Sequence, residues 1–432
     1  FIPQGWTKFY EFSQSDLRAA TDILERLIAR AEGGPIPWEF MHGLMENAIY
    51  GGRIDNLFDI DVLRSYLMQY FNKSLFNQDA GRQRTLVQDV NLPASNKLKN
   101  FSEIIKMLPD IDKPSYFGLP TNIERSAQRT VSQQVIAQLK VLMRPDVTGG
   151  QFDKERWTKE LKPVLDLWDK LNQGPDLKKL EKSSPVHGTT ESPVGAFLVQ
   201  ERLNAVKLMH VVKADLASLR RVLDGTSLLT AEVQKTAVAM LNHEVPPVWS
   251  TLWDGPEDTV QYLRSLAGRL IALDTWLQRV HANQLYKGAQ LDMSEIFRPD
   301  TFLNALRQQT ARQLKCSMDG LKFVCWWKGN NYTLSHQLTI SVGELYLEGC
   351  TFDGKRLLEN ERNSPTVAAI PACNMAWVQK SAEDPYPTKD CLALPLYFTA
   401  DRQRLVTRIN VPCVGKPEKW VQCGAALFLK QM

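Results

Sequence analysis

The sequence predicts an α+β protein whose two kinds of structure are segregated along the chain: a long all-helical part, then a C-terminal antiparallel β-barrel or sandwich. Apolar residues recur at helical spacing from Leu17 to Val280, and near Gly320 their period falls to two. The chain has 432 residues, 44% hydrophobic and 23% charged, which is more than one core usually organises, so two or three domains are expected.

The first helix is expected over Leu17, Ala20, Leu24, Leu27, Ile28 and Ala31, opened by a Ser13/Asp16 capping pattern and stopped by Gly33-Gly34. A second begins at Pro37, turns Met41, Leu44, Met45, Ala48 and Ile49 inward, and stops at Gly51-Gly52. A third follows Asp59, with Leu63, Tyr66, Leu67, Tyr70 and Phe71 facing in. Asn72 to Asn100 is polar and reads as a long loop. Thr121 to Met143 reads as one long helix through Ile123, Ala127, Val131, Val135, Leu139 and Leu142, and Arg144-Pro145 ends it. The Pro/Gly cluster there closes a first unit over 1–148.

A second helical unit, 149–320, opens with Trp157, Leu161, Val164, Leu165, Trp168 and Leu171 on one face, where Pro163 should kink the helix or start a new one. Gln173 to Gly195 reads as a linker. Three helices follow, marked by Leu203 to Leu223, Ala231 to Leu241, and Leu263 to Val280. In the third unit, 321–432, the alternation runs through Leu321/Phe323/Cys325, Leu338/Ile340/Val342, Leu345/Leu347, Leu405 to Val411 and Val421 to Leu429. Five or six short strands without helix-length inserts leave no room for parallel crossovers, so the pairing is expected to be antiparallel, with an open edge around Gln337 to Val342.

Several function classes are disfavoured. With 52 basic against 48 acidic residues and a net charge of +4, composition gives no reason to expect a nucleic-acid partner. No run of 18 apolar residues occurs, so no membrane span is expected. The seven cysteines all follow residue 315, are odd in number and show no two-residue spacing, which reads as reduced, mostly buried thiols. Phe1 to Trp6 carries no initiator Met and no leader pattern, and reads as the edge of a piece of a longer chain. A phosphate-cradling loop needs Gly-Lys-Ser/Thr, but Gly354-Lys355-Arg356 and Gly415-Lys416-Pro417 lack the hydroxyl that would meet Mg²⁺. His243-Glu244 runs into Val245-Pro246-Pro247 and cannot present two histidines on one helix. No Gly-x-Ser-x-Gly elbow occurs. No catalytic, cofactor-binding or metal-binding residue is assigned.

The most unusual stretch is Tyr50-Gly51-Gly52-Arg53-Ile54-Asp55-Asn56. It reads either as a helix C-cap followed by a turn and the next N-cap, or as a close backbone approach that aims Arg53 and Asp55 at a neighbouring module. If Gly52 lies in a backbone region open only to glycine, Gly52→Val should cost about 1–3 kcal/mol.

Ile36-Pro37-Trp38-Glu39-Phe40 leading into Asn47-Ala48-Ile49 and that stretch resembles the signature of the dynein heavy-chain family in the helical lid of its sixth AAA+ module. Pro114 to Asn122 is similar to the family's second lid landmark, and Pro299 to Gln308 to the helix before its C-terminal β region. Leu345 to Gly354 and Trp420 to Leu429 resemble its strands, so the likeness covers the whole chain in the family's order. Phe1 to Phe12 and the Cys-Gly-Ala-Ala-Leu-Phe-Leu ending resemble the branch that drives retrograde intraflagellar transport. The resemblance implies a structural and regulatory element of a minus-end-directed microtubule motor, in cytoplasm, cytoskeleton and ciliary axoneme. It implies that neighbouring AAA+ modules of the same heavy chain are its partners, with microtubules and accessory chains reached through the parent protein. ATP, ADP and Mg belong to that parent, with hydrolysis upstream and no cofactor here. The lid arginine that senses a γ-phosphate in active modules has no counterpart between Gly118 and Asn122; Arg125 is the nearest. Gly51, Gly52, Arg53, Asp55 and Arg125 are therefore the structural or interface candidates. The other implied reading is a scaffold whose β domain docks a partner.

Overall fold

Helix α1 (Gln14–Arg30) starts where the Asp16 carboxylate accepts from the Ser13 backbone N–H at 2.8 Å and from its hydroxyl at 3.1 Å. Of its expected stripe only Ala20 is buried, while Leu17 and Ile28 face solvent. In this computed structural model the described residues are 6–7, 10–72, 85–87, 90–91, 93, 95, 97–108, 119, 121–142, 152–174, 192–360, 364–415 and 417–430. Helix α2 (Trp38–Leu44) takes Pro37 as its cap, not as its first helical residue. It then widens into a π-turn, Met45–Ile49, and tightens into a 3₁₀ turn, Gly51–Arg53. Helix α3 (Leu57–Tyr70) starts before Asp59: the Asn56 amide oxygen caps it by accepting from the Phe58 N–H at 2.9 Å, which leaves Asp59 inside the first turn and fully buried.

The loop expected over Asn72 to Asn100 contains a two-stranded hairpin, β1 (Thr85–Val87) and β2 (Val90–Asn91), and ends in helix α4 (Leu98–Met107). Helix α5 (Thr121–Leu142) matches its expected span. Its first two turns bury Ile123 and Ser126, whereas Val131, Val135, Ile136 and Leu139 are exposed. The Arg144–Gly150 boundary and most of the Pro114–Asn122 landmark and of the Gln173–Gly195 linker lie outside the described residues.

Helix α6 (Lys154–Gln173) runs through Pro163 as one element; Pro163 and Lys159 both lie on the exposed face, where water can bond the carbonyl that proline leaves without a donor. Helices α7 (Pro193–Leu223), α8 (Ala231–Leu241), α9 (Pro247–Leu252), α10 (Thr259–His281) and α11 (Pro299–Leu314) complete the helical layer.

The strands form two main sheets. One orders β3 (Gln290–Leu291), β5 (Ile340–Val342), β10 (Cys373–Gln379) and β4 (Leu321–Trp327). The other orders β12 (Leu405–Pro412), β11 (Cys391–Thr399), β13 (Ala426–Lys430), β6 (Leu345–Glu348) and β9 (Val367–Ile370). A small hairpin joins β7 (Thr351–Phe352) to β8 (Leu357–Leu358). Both main sheets are mixed, since β3 pairs with β5 and β11 pairs with β13 in parallel, and they do not close into a barrel. The all-antiparallel expectation fails because Val421 to Cys423 is not strand. Helix α12 (Pro417–Gln422) stands there and carries the backbone past β11, so that β13 runs alongside it in the same direction. Nor is β5 an open edge, being paired on both sides by β3 and β10.

Helices α6 to α11 and both sheets bury one continuous apolar core, in which Trp168, Leu198, Leu263 and Trp276 meet Trp327, Leu396 and Leu427. One buried cation pins the helices to the sheet: Arg269 on α10 donates to the Ile296 carbonyl at 2.6 Å and lies over the rings of Trp253, Phe297 and Phe398 at 5.0–5.4 Å. Burial pulls its pKa down to about 10. All seven cysteines are free thiols, five of them buried. Burial pushes the Cys391 and Cys423 thiols up to about 12.

Candidate functional site

The N-terminal helices meet the C-terminal sheet along one seam, built from an apolar centre and a polar rim. Val62 and Tyr66 of α3, Leu119, and Ile123 of α5 pack with Cys423, which follows α12, and with the half-buried Trp6 and Val421. Phe58 on α3 lies edge-on to Tyr397 of β11, and the Arg408 guanidinium of β12 sits 4.4 Å from the Phe58 ring centroid.

One carboxylate in this seam is fully buried and one ion pair is partly buried, and all three groups are bonded. Asp59 accepts from the Thr7 N–H at 2.8 Å, the Thr7 hydroxyl at 2.5 Å and the Tyr10 hydroxyl at 2.7 Å, so one carboxylate fastens the N-terminal segment to α3. Burial and the neighbouring Asp59 raise the Tyr10 phenol well above its ordinary range, so it stays a donor. On the sheet side, Glu348 at the end of β6 accepts from the Ser126 hydroxyl of α5 at 2.5 Å and from Arg402 at 3.1 Å. Arg402 also donates to the Gly424 carbonyl at 2.7 Å, and its side chain is only 11% exposed. Helix α5, strand β6, the β11–β12 turn and the start of β13 are thereby tied through one carboxylate and one guanidinium. An open cleft of about 630 Å³ beside this network is lined by Thr7, Asp55, Asn56, Phe58, Arg402 and Arg408, among others.

The sequence candidates fall around this seam but not in its centre. Gly51 opens the 3₁₀ turn so close to the preceding π-turn that a Cβ there would overlap the Glu46 carbonyl oxygen. Gly52 has no positive φ, and a Cβ placed on it would meet nothing within 4 Å, so nothing there demands glycine; at Gly51 the demand is steric and does not come from a glycine-only φ. Arg53 turns back to Asp16 at 3.0 Å, and Asp55 accepts from Tyr10 at 3.1 Å. Arg125, exposed on α5, donates to the Ser364 carbonyl at 3.3 Å. The sequence does not single out Asp59, Ser126, Glu348 or Arg402 as functional. Asp59 carries a faint signal as an acid on an apolar helix face, whereas Glu348 and Arg402 meet only through strand pairing. Among the described residues no group of three or more His, Cys, Asp or Glu could hold a metal ion, and no helix is long and apolar enough to cross a membrane.

The seam joins two regions that sequence comparison recognises separately. The profile of the dynein heavy chain AAA lid domain matches residues 1–123, and the profile for the C-terminal domain of dynein heavy chains matches residues 127–429. The protein belongs to the dynein heavy-chain family. It is similar to cytoplasmic dynein 2 heavy chain 1 of Tripneustes gratilla, with 50% identity over 432 residues, and to that of Homo sapiens, with 49% over 433. The Chlamydomonas reinhardtii cytoplasmic dynein 2 heavy chain 1 is 38% identical over 446 residues. The match covers 99–100% of this chain, which spans about a tenth of the length of these dynein heavy chains. In dynein terms, α3 and Leu119 bring the lid side of the seam, β6, β11, β12 and α12 bring the C-terminal side, and α5 spans the junction between the two matched regions.

Proposed function

We propose that this chain works as the C-terminal mechanical element of a dynein 2 heavy chain: a lid of the sixth AAA+ module fastened to a C-terminal domain, transmitting and biasing ring motion without hydrolysing ATP itself. The parent would be a minus-end-directed microtubule motor for retrograde intraflagellar transport, working in the cytoplasm and along the ciliary axoneme. Neighbouring modules of the same heavy chain are its immediate partners; ATP, ADP and Mg act upstream, and microtubules and accessory chains are reached through the parent. The observation that carries this reading is the Ser126–Glu348–Arg402–Gly424 network. A lid can pass a displacement to a second body only when the joint resists shear, and partly buried, directional, charge-assisted bonds resist it better than an apolar contact alone. Gly51, Arg53 and Asp55 then act inside the lid as a corner that keeps α1, the N-terminal segment and α3 in one body, and Gly52 and Arg125 line its surface.

The test is Arg402→Ala in a complete dynein 2 heavy chain, read as microtubule gliding velocity and ATPase rate together. Transmission through the seam predicts slower gliding with ATP turnover retained. Wild-type velocity in a folded variant would reject the seam as a transmitting joint.

A further inference from the structure

Beside the seam lies a second cleft, of about 300 Å³, whose charges are one-sided. Arg125 and Arg129 reach it from α5, and Lys430 reaches it from the last strand, over a floor that includes Pro365, Val367, Ala400 and Phe428. Among the described residues no carboxylate lines it. The two arginines bond only to neutral acceptors among the described residues: Arg125 to the Ser364 carbonyl and Arg129 to the Thr366 hydroxyl, each at 3.3 Å. A guanidinium carries five donors, so both keep most of theirs for something else. Glu348, bonded to the neighbouring Ser126, is already engaged by Arg402. Lys430 is half-buried; that burial, and the repulsion of Arg269 behind it, pull its pKa below the ordinary lysine range against a smaller opposing pull from Asp292. A concave, partly apolar wall concentrates the field of such a cluster.

We propose that the cleft between α5, the start of β9 and the end of β13 is an oxyanion site, in which Arg125, Arg129, Lys430 and the Thr366 hydroxyl hold a phosphate group. Three cations and a hydroxyl arriving from α5, β13 and the segment leading into β9 suit a group with several oxygens and two charges better than a single carboxylate. The space exceeds one phosphate, so inorganic phosphate and the phosphoryl end of a nucleotide are both sources of the same chemistry. A bound phosphate bridges the helix to the sheet and adds a ligand-dependent clamp next to the permanent one. The site stands whether or not the seam transmits motion.

The experiment is calorimetric titration of the 432-residue protein with inorganic phosphate at constant ionic strength, repeated with acetate and with ADP. Phosphate should bind saturably, and Arg129→Gln and Lys430→Gln should each weaken it at least about 10-fold. Arg408→Gln, in the other cleft, should leave it unchanged, and equal unfolding temperatures without phosphate would show that the variants are folded. ADP binding tighter than phosphate, and lost in the same two variants, assigns the site to a nucleotide; phosphate binding that ADP does not displace assigns it to the free ion. Absence of saturable phosphate heat, equal binding of acetate, or affinity that survives both variants would overturn the proposal.

Discussion

Adjacent glycines 51 and 52 are equivalent in sequence and opposite in structure. Gly51 is held against the Glu46 carbonyl, so Gly51→Ala should cost about 1–3 kcal/mol through displacement of the π-turn. Gly52 meets open space with an ordinary backbone, so Gly52→Ala should be neutral or should stabilise by about 0.4–1 kcal/mol by restricting the unfolded state. Urea unfolding of the two variants decides the matter, and equal losses would contradict it. Asp16 gives a pH-dependent case. The Ser13 N–H, and after it Arg53, hold its carboxyl below the ordinary value of 3.8. A folded-state pKa that is lowered contributes stability above the unfolded value and loses it as pH falls through the folded value. Asp16→Asn should therefore be less stable than the parent at neutral pH, with the difference closing in acid below 3.8. A difference that persists at the lowest pH would assign the effect to packing instead.

At the scale of elements, the helices are legible in the sequence because an apolar face leaves a 3.6-residue period that needs no knowledge of neighbours: α10 lies where Leu263 to Val280 put it with that face buried, and α5 where Ile123 to Leu142 put it although most of its face is exposed in this chain. The sheet is legible only as alternation. Its order, its parallel pair β11–β13 and helix α12 depend on which strands meet, and Val421, Cys423 and Ala425 alternate by accident of a short helix entering a strand. The polar joint shares that limit, because Ser126, Glu348 and Arg402 are distant in sequence and ordinary locally. Removing either ionic partner leaves the other largely buried, so Glu348→Ala or Arg402→Ala should each cost about 3–5 kcal/mol. The double variant should cost less than the sum of the two. A cycle with a coupling energy within about 0.5 kcal/mol of zero would mean that the two side chains act independently.

Over the whole molecule, what matters is that the C-terminal helices and both sheets share a single core. Trp327, Leu396 and Leu427 are buried against the same cluster as Trp168, Leu263 and Trp276, and Arg269 on α10 is enclosed partly by Phe398 of β11. A core divided in this way cannot be cut without exposing both halves, because each supplies the other's cover. The lid side joins that body through a much smaller apolar cluster, Val62, Tyr66, Leu119, Ile123 and Cys423, supplemented by the polar network. The arrangement sets one large single-core body against a smaller one on a directional joint, the property that the proposed transmission requires. It predicts a hierarchy in amide hydrogen exchange. Backbone amides of α7, α10, β4 and β11 should exchange together, through one global opening, whereas α1 and α2 should exchange through a smaller and earlier one. A protein truncated after Gly320 should lose protection in α7 and α10 as well as the missing sheet; retention of native protection in those helices would show that the core is two cores after all.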